Sequence, residues 1–152
     1  MDALFIFGAK YLFLISILIG LIWFIYLPRS LKKSRFIFGV LSSTLTFLIG
    51  KTSSYFYFNA RPFVVGKFTP LIEHAPNNGF PSDHTLLVAV IASIIFIFNK
   101  RLGLALGFIA LFVGFSRIYT GVHHSLDILG SFIIAIISSV IVFILLKNRK
   151  ML

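Results

Sequence analysis

Three observations predict an all-α fold, a polytopic membrane helix bundle. Hydrophobic residues make up 59% of the 152 residues, charged residues only 12%, and the mean hydropathy is +1.03. A soluble domain of this size leaves much of its surface in water and cannot absorb so much apolar surface, whereas a bilayer can. The apolar residues form continuous runs instead of the alternating pattern of a membrane β-barrel, and basic residues lie in the short connections between the runs.

Five apolar runs predict about five transmembrane helices within a single membrane domain covering residues 1–152. The runs cover roughly residues 11–27, 36–49 with an extension as far as 58, 85–98, 102–115 and 126–146. A spanning helix needs about 20 residues. The third and fourth runs therefore reach spanning length only if the polar residues at their ends are helical. A cleaved signal peptide is the alternative for the first run, and the length of the run and the Pro28-Arg29 that follows it favour a span.

The distribution of basic residues predicts the orientation of the helices. Residues 29–35, 99–101 and 147–150 hold nine Lys and Arg, and the positive-inside rule places these connections in the cytoplasm. The N-terminus is then outside, the C-terminus is cytoplasmic, and the connections 59–81 and 117–124 face outward. Because membrane orientation accounts for these basic residues, the net charge of +10 does not require a nucleic-acid partner. The bilayer, with its anionic headgroups, is the expected partner. The oligomeric state is left open.

Ionisable residues are concentrated near the outward helix ends. Ionisable residues near membrane depth are energetically costly, so they are candidates for a functional site. His123 and Asp127 are four residues apart and share one face if the fifth helix begins near Val122. A carboxylate in this position would orient an imidazole that acts as a base or a nucleophile. Gly121 ends the preceding helix and lets Arg117 approach the histidine. The alternative is a His-Asp bridge that only ties two helices together.

Two further clusters carry groups suited to phosphate. Pro81-Ser82-Asp83-His84 precedes an apolar run and is typical of a helix start, where free amides and the helix dipole favour an anion. The alternative is a plain cap whose histidine faces lipid headgroups. Lys51 and Arg61 precede this cluster in the chain and supply cationic side chains suited to phosphate. Lys67, Glu73 and His74 are interpreted as ordinary loop charges.

The same residues argue against a metal centre. The chain lacks cysteine and the HExxH spacing, and His123 and His124 are adjacent, so their side chains diverge on a helix. Three cationic side chains near the site would also repel a metal ion. No cofactor is predicted.

Together the three clusters resemble the tripartite signature of the type 2 phosphatidic acid phosphatase superfamily, Lys-x6-Arg-Pro, Pro-Ser-Gly-His and Ser-Arg-x5-His-x3-Asp. The third element is complete from Ser116 to Asp127. The second has Asp83 in place of glycine. The first keeps Arg61-Pro62, but nine residues separate Lys51 from Arg61, and Ser54 occupies the expected lysine position.

The resemblance implies a metal-independent lipid phosphatase. It makes His123 the nucleophile that forms a phosphohistidine, Asp127 its orienting group, and His84 the acid that protonates the leaving oxygen. Arg61, Arg117, Lys51 and Ser82 would hold the phosphoryl oxygens, and Asp83 must point away or pair with a cation.

The aspartate variant and the short five-helix chain are similar to bacterial undecaprenyl-diphosphatases of the bacitracin-resistance type. The expected substrate is undecaprenyl diphosphate, at an active site facing outward from the bacterial plasma membrane. Phosphatidylglycerophosphate, phosphatidate and lipid A phosphates are alternative substrates. A non-catalytic anion-binding membrane protein is the rival from another class.

Overall fold

The computed structural model describes all 152 residues, and its regular elements are helices. In chain order they are α1 (Asp2–Lys10), α2 (Leu12–Ile25), α3 (Arg29–Phe56), the short α4 (Pro62–Val65), α5 (Asp83–Phe98), α6 (Lys100–Tyr119) and α7 (Ser125–Asn148). A single antiparallel bridge pairs Ala60 with Asn78 inside the long connection between α3 and α5.

The predicted all-helical membrane fold is confirmed, with three or four candidate spans. Helices α3, α6 and α7 are long and apolar enough to cross a membrane. Helices α1 and α2 qualify only together, and they meet at an angle of 49°. Helix α5 is apolar but has only 16 residues, whereas a span needs about 20. The count of five spans therefore stays a prediction.

The first helical region differs from the predicted helix over residues 11–27. Helix begins at Asp2, nine residues before the predicted run, and the break falls at Tyr11, the first residue of that run. Packing explains the difference, because α1 lies against α6 close to its C-terminal end. A Cβ atom at Gly8 would collide with Ser116 of α6.

The basic connections are more helical than predicted. Helix α3 begins at Arg29, directly after Pro28, so the whole basic stretch 29–35 is helical. Lys, Arg and Leu are good helix formers, and their propensity is enough to extend the element. The connection predicted at residues 99–101 reduces to Asn99, whose side chain accepts a hydrogen bond from the Leu102 N–H at 3.1 Å and caps α6.

Helix α5 occupies the centre of the bundle and contacts α2, α3, α6 and α7. Its buried side chains pack with Ala110 and Val113 of α6 and with Ile134 and Ala135 of α7. The exposed side of α6 is apolar as well. It exposes four large hydrophobic residues at helical spacing, Leu104, Phe108, Leu111 and Phe115. A face of this kind suits lipid contact.

The ends of α5, α6 and α7 and the connection 59–81 meet at one end of the bundle. The first residues of α5 and α7 are joined there, because the Ser131 hydroxyl donates to the Ser82 carbonyl at 3.1 Å and to the Asp127 carbonyl at 2.7 Å. Polar residues from all three clusters of the sequence are therefore brought to this end.

Candidate active site

His123 and Asp127 form a buried pair at the start of α7. His123 Nδ1 lies 3.2 Å from Asp127 Oδ2, and the two residues are 2% and 0% exposed. Because a carboxylate only accepts, Nδ1 carries the proton, and the lone pair of the neutral ring lies on Nε2. The pair thus presents the nitrogen that a nucleophilic histidine needs.

The pair forms although the helix begins three residues after Val122, close to the start of the predicted apolar run 126–146. Helix α7 begins at Ser125, so His123 precedes the helix and Asp127 lies in its first turn. Asp127 Oδ2 also accepts the backbone N–H of His124 at 2.9 Å. This interaction caps the helix and brings the preceding residue back onto the carboxylate.

Asn59 bonds to the second carboxylate oxygen of Asp127. Its side-chain Nδ2 donates to Asp127 Oδ1 at 2.7 Å, across 68 residues of sequence. A Cβ atom at Gly79 would come within 3.0 Å of Asp127 Oδ2, so the chain passes close to the carboxylate at this point. Asp127 is fixed through both oxygens.

Two guanidinium groups converge on the free nitrogen of His123. Arg61 Nη1 lies 3.1 Å and Arg117 Nη2 lies 3.3 Å from His123 Nε2. Both arginines are at most 5% exposed. A phosphorus atom attacked by Nε2 would place its oxygens within reach of both groups, which bind phosphate well.

Arg61 is held by two asparagines outside the predicted clusters and by one carbonyl of the third cluster. Its Nε donates to Asn77 Oδ1 at 3.0 Å, Nη2 to the Asn78 carbonyl at 3.2 Å, and Nη1 to the Val122 carbonyl at 2.8 Å. These contacts immobilise the guanidinium before substrate arrives, which lowers the entropic cost of binding.

Arg117 is held by the first helix. It lies in the last turn of α6, which ends because Gly121 adopts a φ of +79°. Its Nη1 donates to the Ala9 carbonyl at 3.3 Å, while its buried Nε has no protein partner. The N-terminal helix thus contributes directly to the position of a cationic side chain.

Burial and charge keep the His123 imidazole neutral. Burial, together with the smaller effects of Arg117 and Arg61, lowers the pKa of His123 to about 4 against the opposing effect of Asp127. A neutral ring at neutral pH retains the lone pair needed for attack on phosphorus.

His84 and Ser82 lie at the start of α5, as predicted. His84 is in the first turn and packs edge-on against the Phe13 ring, with the ring centroids 4.6 Å apart. Ser82 precedes the helix, is fully buried, and accepts a hydrogen bond from Thr85 Oγ1 at 3.2 Å. The first amides of the helix have no intrahelical acceptor. Contact of Ser82 with phosphate stays a prediction.

Lys51 and Asp83 lie at the exposed mouth of the site. Lys51 Nζ is 4.0 Å from Asp83 Oδ1, and their side chains are 59% and 78% exposed. Asp83 therefore faces a cation, as predicted. Lys51 comes near the site because α3 ends at Phe56. A cavity of about 200 Å³ opens here, and seven polar residues line it: Lys51, Ser54, Arg61, His74, Asn77, Asn78 and Asp83.

Four residues at the site were missed from the sequence. Asn59, Asn77 and Asn78 carry no charge, and a search for ionisable residues passes over them. The only signal was the adjacent Asn77-Asn78 pair in an otherwise apolar chain. His74 was interpreted as a loop charge, yet its ring centroid lies 6.1 Å from that of His123.

Comparison with known proteins decides the family. The model of the PAP2 superfamily matches residues 35–151, which is most of the chain. The chain belongs to the PAP2 superfamily. The predicted resemblance is confirmed, and membership together with the relatives below supports a lipid phosphatase, a hydrolase. Membrane-helix candidates and membrane relatives together indicate an integral membrane PAP2 protein.

Two curated relatives share the name BcrC. The chain is 34% identical over 146 residues to undecaprenyl-diphosphatase BcrC of Bacillus subtilis, covering 94% of this chain and 74% of that protein. It is 35% identical over 120 residues to the bacitracin transport permease protein BcrC of Bacillus licheniformis. That match covers 78% of this chain, which spans only 59% of the length of the relative.

A solved structure shares the fold. The structure of a PAP2-type phosphatidylglycerolphosphate phosphatase from Bacillus subtilis aligns with a TM-score of 0.67 and 26% identity. The alignment covers 96% of this PAP2 chain and 74% of that one.

Proposed function

We propose that this PAP2 protein hydrolyses undecaprenyl diphosphate to undecaprenyl phosphate and inorganic phosphate. The observation that carries the proposal is the buried His123, whose Nδ1 bonds to Asp127 and whose Nε2 faces two arginines. The substrate follows from the similarity to undecaprenyl-diphosphatase BcrC.

In the first step His123 Nε2 attacks the terminal phosphorus. The P–N bond forms as the bond from phosphorus to the bridging oxygen breaks. His84 gives its proton to that oxygen, and undecaprenyl phosphate leaves. Arg61 and Arg117 stabilise the charge on the phosphoryl oxygens, and Asp127 stabilises the positive imidazole that results.

In the second step water attacks the phosphohistidine. His84, now neutral, takes a proton from the water, the P–N bond breaks, and inorganic phosphate leaves with His123 neutral again. The cationic side chains supply the charge stabilisation that a metal gives other phosphatases, so the proposal includes no metal. Lys51, Ser82 and the first amides of α5 are proposed as further phosphate ligands.

We place the site at the outer face of the bacterial plasma membrane. The bent pair α1–α2 and the helices α3, α5, α6 and α7 would give five spans. Arg29–Arg35, Lys100 and Lys147 would then lie on the cytoplasmic side under the positive-inside rule. The site is at the opposite ends of these helices. Residues 1–152 are proposed to form a single domain.

A substrate panel tests the proposal. Phosphate release by the detergent-purified protein in excess EDTA is measured on undecaprenyl diphosphate, phosphatidylglycerophosphate, phosphatidate and lipid A. We expect the highest kcat/KM on the diphosphate. Equal rates on all four substrates would contradict a dedicated role in recycling the carrier lipid.

Phosphatidylglycerophosphate is the second candidate substrate, because the similar solved structure is a phosphatidylglycerolphosphate phosphatase. The panel separates the two candidates directly. A higher kcat/KM on phosphatidylglycerophosphate would transfer the assignment to that lipid and leave the histidine chemistry unchanged.

A further inference from the structure

His74 lies over the site without a part in the steps above. It belongs to the connection between α4 and α5, is half-buried, and presents its ring edge-on to His123 at 77° between the ring planes. Its Nδ1 lies 3.2 Å from the Ala75 carbonyl. Because a carbonyl only accepts, Nδ1 carries a proton there, and no protein group bonds to Nε2.

The cavity beside His74 extends the site away from the nucleophile. His74, Asn77 and Lys51 line it together with Arg61, whose guanidinium also reaches His123. At about 200 Å³ it is smaller than the pockets that take drug-sized ligands. A headgroup fits a space of this size, whereas the lipid tail must lie elsewhere.

The charges around the cavity favour an anion. Lys51 and Arg61 are cations on its wall, and the carboxylate of Asp83 is balanced by Lys51 at 4.0 Å. A phosphate at His123 Nε2 would be bound by Arg61 and Arg117, so a second phosphate joined to it would reach the remaining groups of the wall.

We propose that His74 is a specificity-determining residue that binds the second phosphate of a diphosphate substrate, the one that leaves with the lipid. The inference rests on the proposed phosphatase function and deepens it. His74 Nε2 donates to an oxygen of the leaving phosphate, and Lys51 provides the opposing charge. A monophosphate lipid has no group at this position and gains nothing from His74.

The proposed contact requires protonation of His74. In the free protein, burial holds the pKa of His74 below its ordinary value; the bond to the Ala75 carbonyl raises it in part, and Arg61 and Arg117 lower it. A diphosphate brings negative charges next to the ring, which favour the protonated imidazole. Both ring nitrogens then carry protons, and Nε2 can donate.

Kinetics on a matched pair of lipids test the proposal. The purified His74→Asn protein is compared with wild type on farnesyl diphosphate and farnesyl monophosphate, which share one tail. We expect kcat/KM on the diphosphate to fall about tenfold, as for the loss of one hydrogen bond to a charged group, with the monophosphate within twofold of wild type. Glu73→Gln, a change at the exposed neighbouring residue, should alter neither. Equal losses on both lipids, or no loss on the diphosphate, would overturn the proposal.

Inhibition gives a second readout where monophosphate turnover is too slow to measure. Methylenediphosphonate and inorganic phosphate are compared as competitive inhibitors of wild type and His74→Asn. The proposal requires an approximately tenfold increase of the Ki for the diphosphonate alone. Parallel changes for both inhibitors, or none, would refute it. Failure of the proposed function looks different, because the wild-type protein would then release no phosphate from either lipid.

Discussion

Asp127 uses both carboxylate oxygens, and at the residue scale the site depends on how they are shared. Oδ2 accepts from His123 and from the His124 amide, while Oδ1 accepts from Asn59 at 2.7 Å. The resemblance to the family predicts only the contact between Asp127 and His123. We propose that Asn59 is a positioning residue that acts on His123 through Asp127.

Replacing Asn59 tests this role. Asn59→Ala removes a hydrogen bond to a carboxylate, and we expect kcat to fall about tenfold. An increase of about 1.4 kcal/mol in the activation free energy corresponds to a factor of about ten in rate. KM should change little because the side-chain amide of Asn59 is bonded to Asp127. Steady-state kinetics on undecaprenyl diphosphate measure both constants. The matched control is Asn148→Ala at the exposed end of α7, which should behave as wild type. A rise in KM with kcat unchanged would assign Asn59 to substrate binding instead.

The protonation of His123 makes a second prediction at this scale. Its pKa of about 4 in the folded protein lies below the value of about 6.5 for an unperturbed imidazole. Between these two pH values the unfolded chain binds more protons, so folded stability is complete above the unfolded pKa and falls as pH drops toward 4. ¹⁵N NMR of histidine-labelled protein in detergent, with His123 assigned by the His123→Asn variant, reports the midpoint directly. A midpoint near 6.5 would contradict the buried, neutral nucleophile.

The three charged clusters could be predicted from the sequence because ionisable side chains are rare in an apolar chain. The precise geometry could not, since it depends on neutral groups and on packing. The sequence predicts the pairing of His123 with Asp127 for a helix that begins near Val122. The pair forms with a helix that begins at Ser125, because capping by Asp127 brings His123 back onto the carboxylate. The sequence predicts that Lys51 reaches the site only if its helix breaks before Arg61, and α3 does end at Phe56. His74 was missed, since its position depends on the path of an irregular connection.

At the element scale, helices α5 and α6 approach each other closely at Gly103. A Cβ atom at Gly103 would collide with the backbone of Phe96, whereas one at Gly107, a turn further along α6, would meet nothing within 4 Å. Backbone cannot move aside as a flexible side chain can, so α6 would have to shift relative to α5.

A matched pair of variants tests this approach. Gly103→Ala should lower the thermal midpoint in detergent, by an overpacking cost of about 1–3 kcal/mol. Gly107→Ala should leave the midpoint unchanged or raise it slightly, because alanine is the better helix former by about 1 kcal/mol. Melting followed by far-UV circular dichroism compares them. Equal midpoints for the two variants would mean that the helices do not pack as closely as described.

At the scale of the whole molecule, the N-terminal helix is part of the site. The Ala9 carbonyl of α1 accepts from Arg117 of α6, and α1 packs on α6. The family match begins only at residue 35, so this contact is a feature of the present chain that the match does not cover. It supports the proposal of a single domain.

Orientation in the membrane is tested on intact cells. The chain has no cysteine, so single cysteines report without background. Glu73→Cys and Lys100→Cys are preferable to changes at Asn77 or Asn99, because those asparagines hold Arg61 and cap α6. We expect an impermeant thiol reagent to label the first variant in intact cells and the second only after permeabilisation. The reverse pattern would refute the outward-facing site and the recycling role that depends on it.

We propose that His123 performs the hydrolysis without a metal. The most direct measurement is phosphate release from undecaprenyl diphosphate in excess EDTA by the wild-type and His123→Ala proteins, both purified in detergent. We expect wild-type turnover that is unaffected by EDTA and a loss of at least about a thousandfold in the variant, as when a catalytic nucleophile is removed. Turnover abolished by EDTA in the wild type, or retained by His123→Ala, would contradict it.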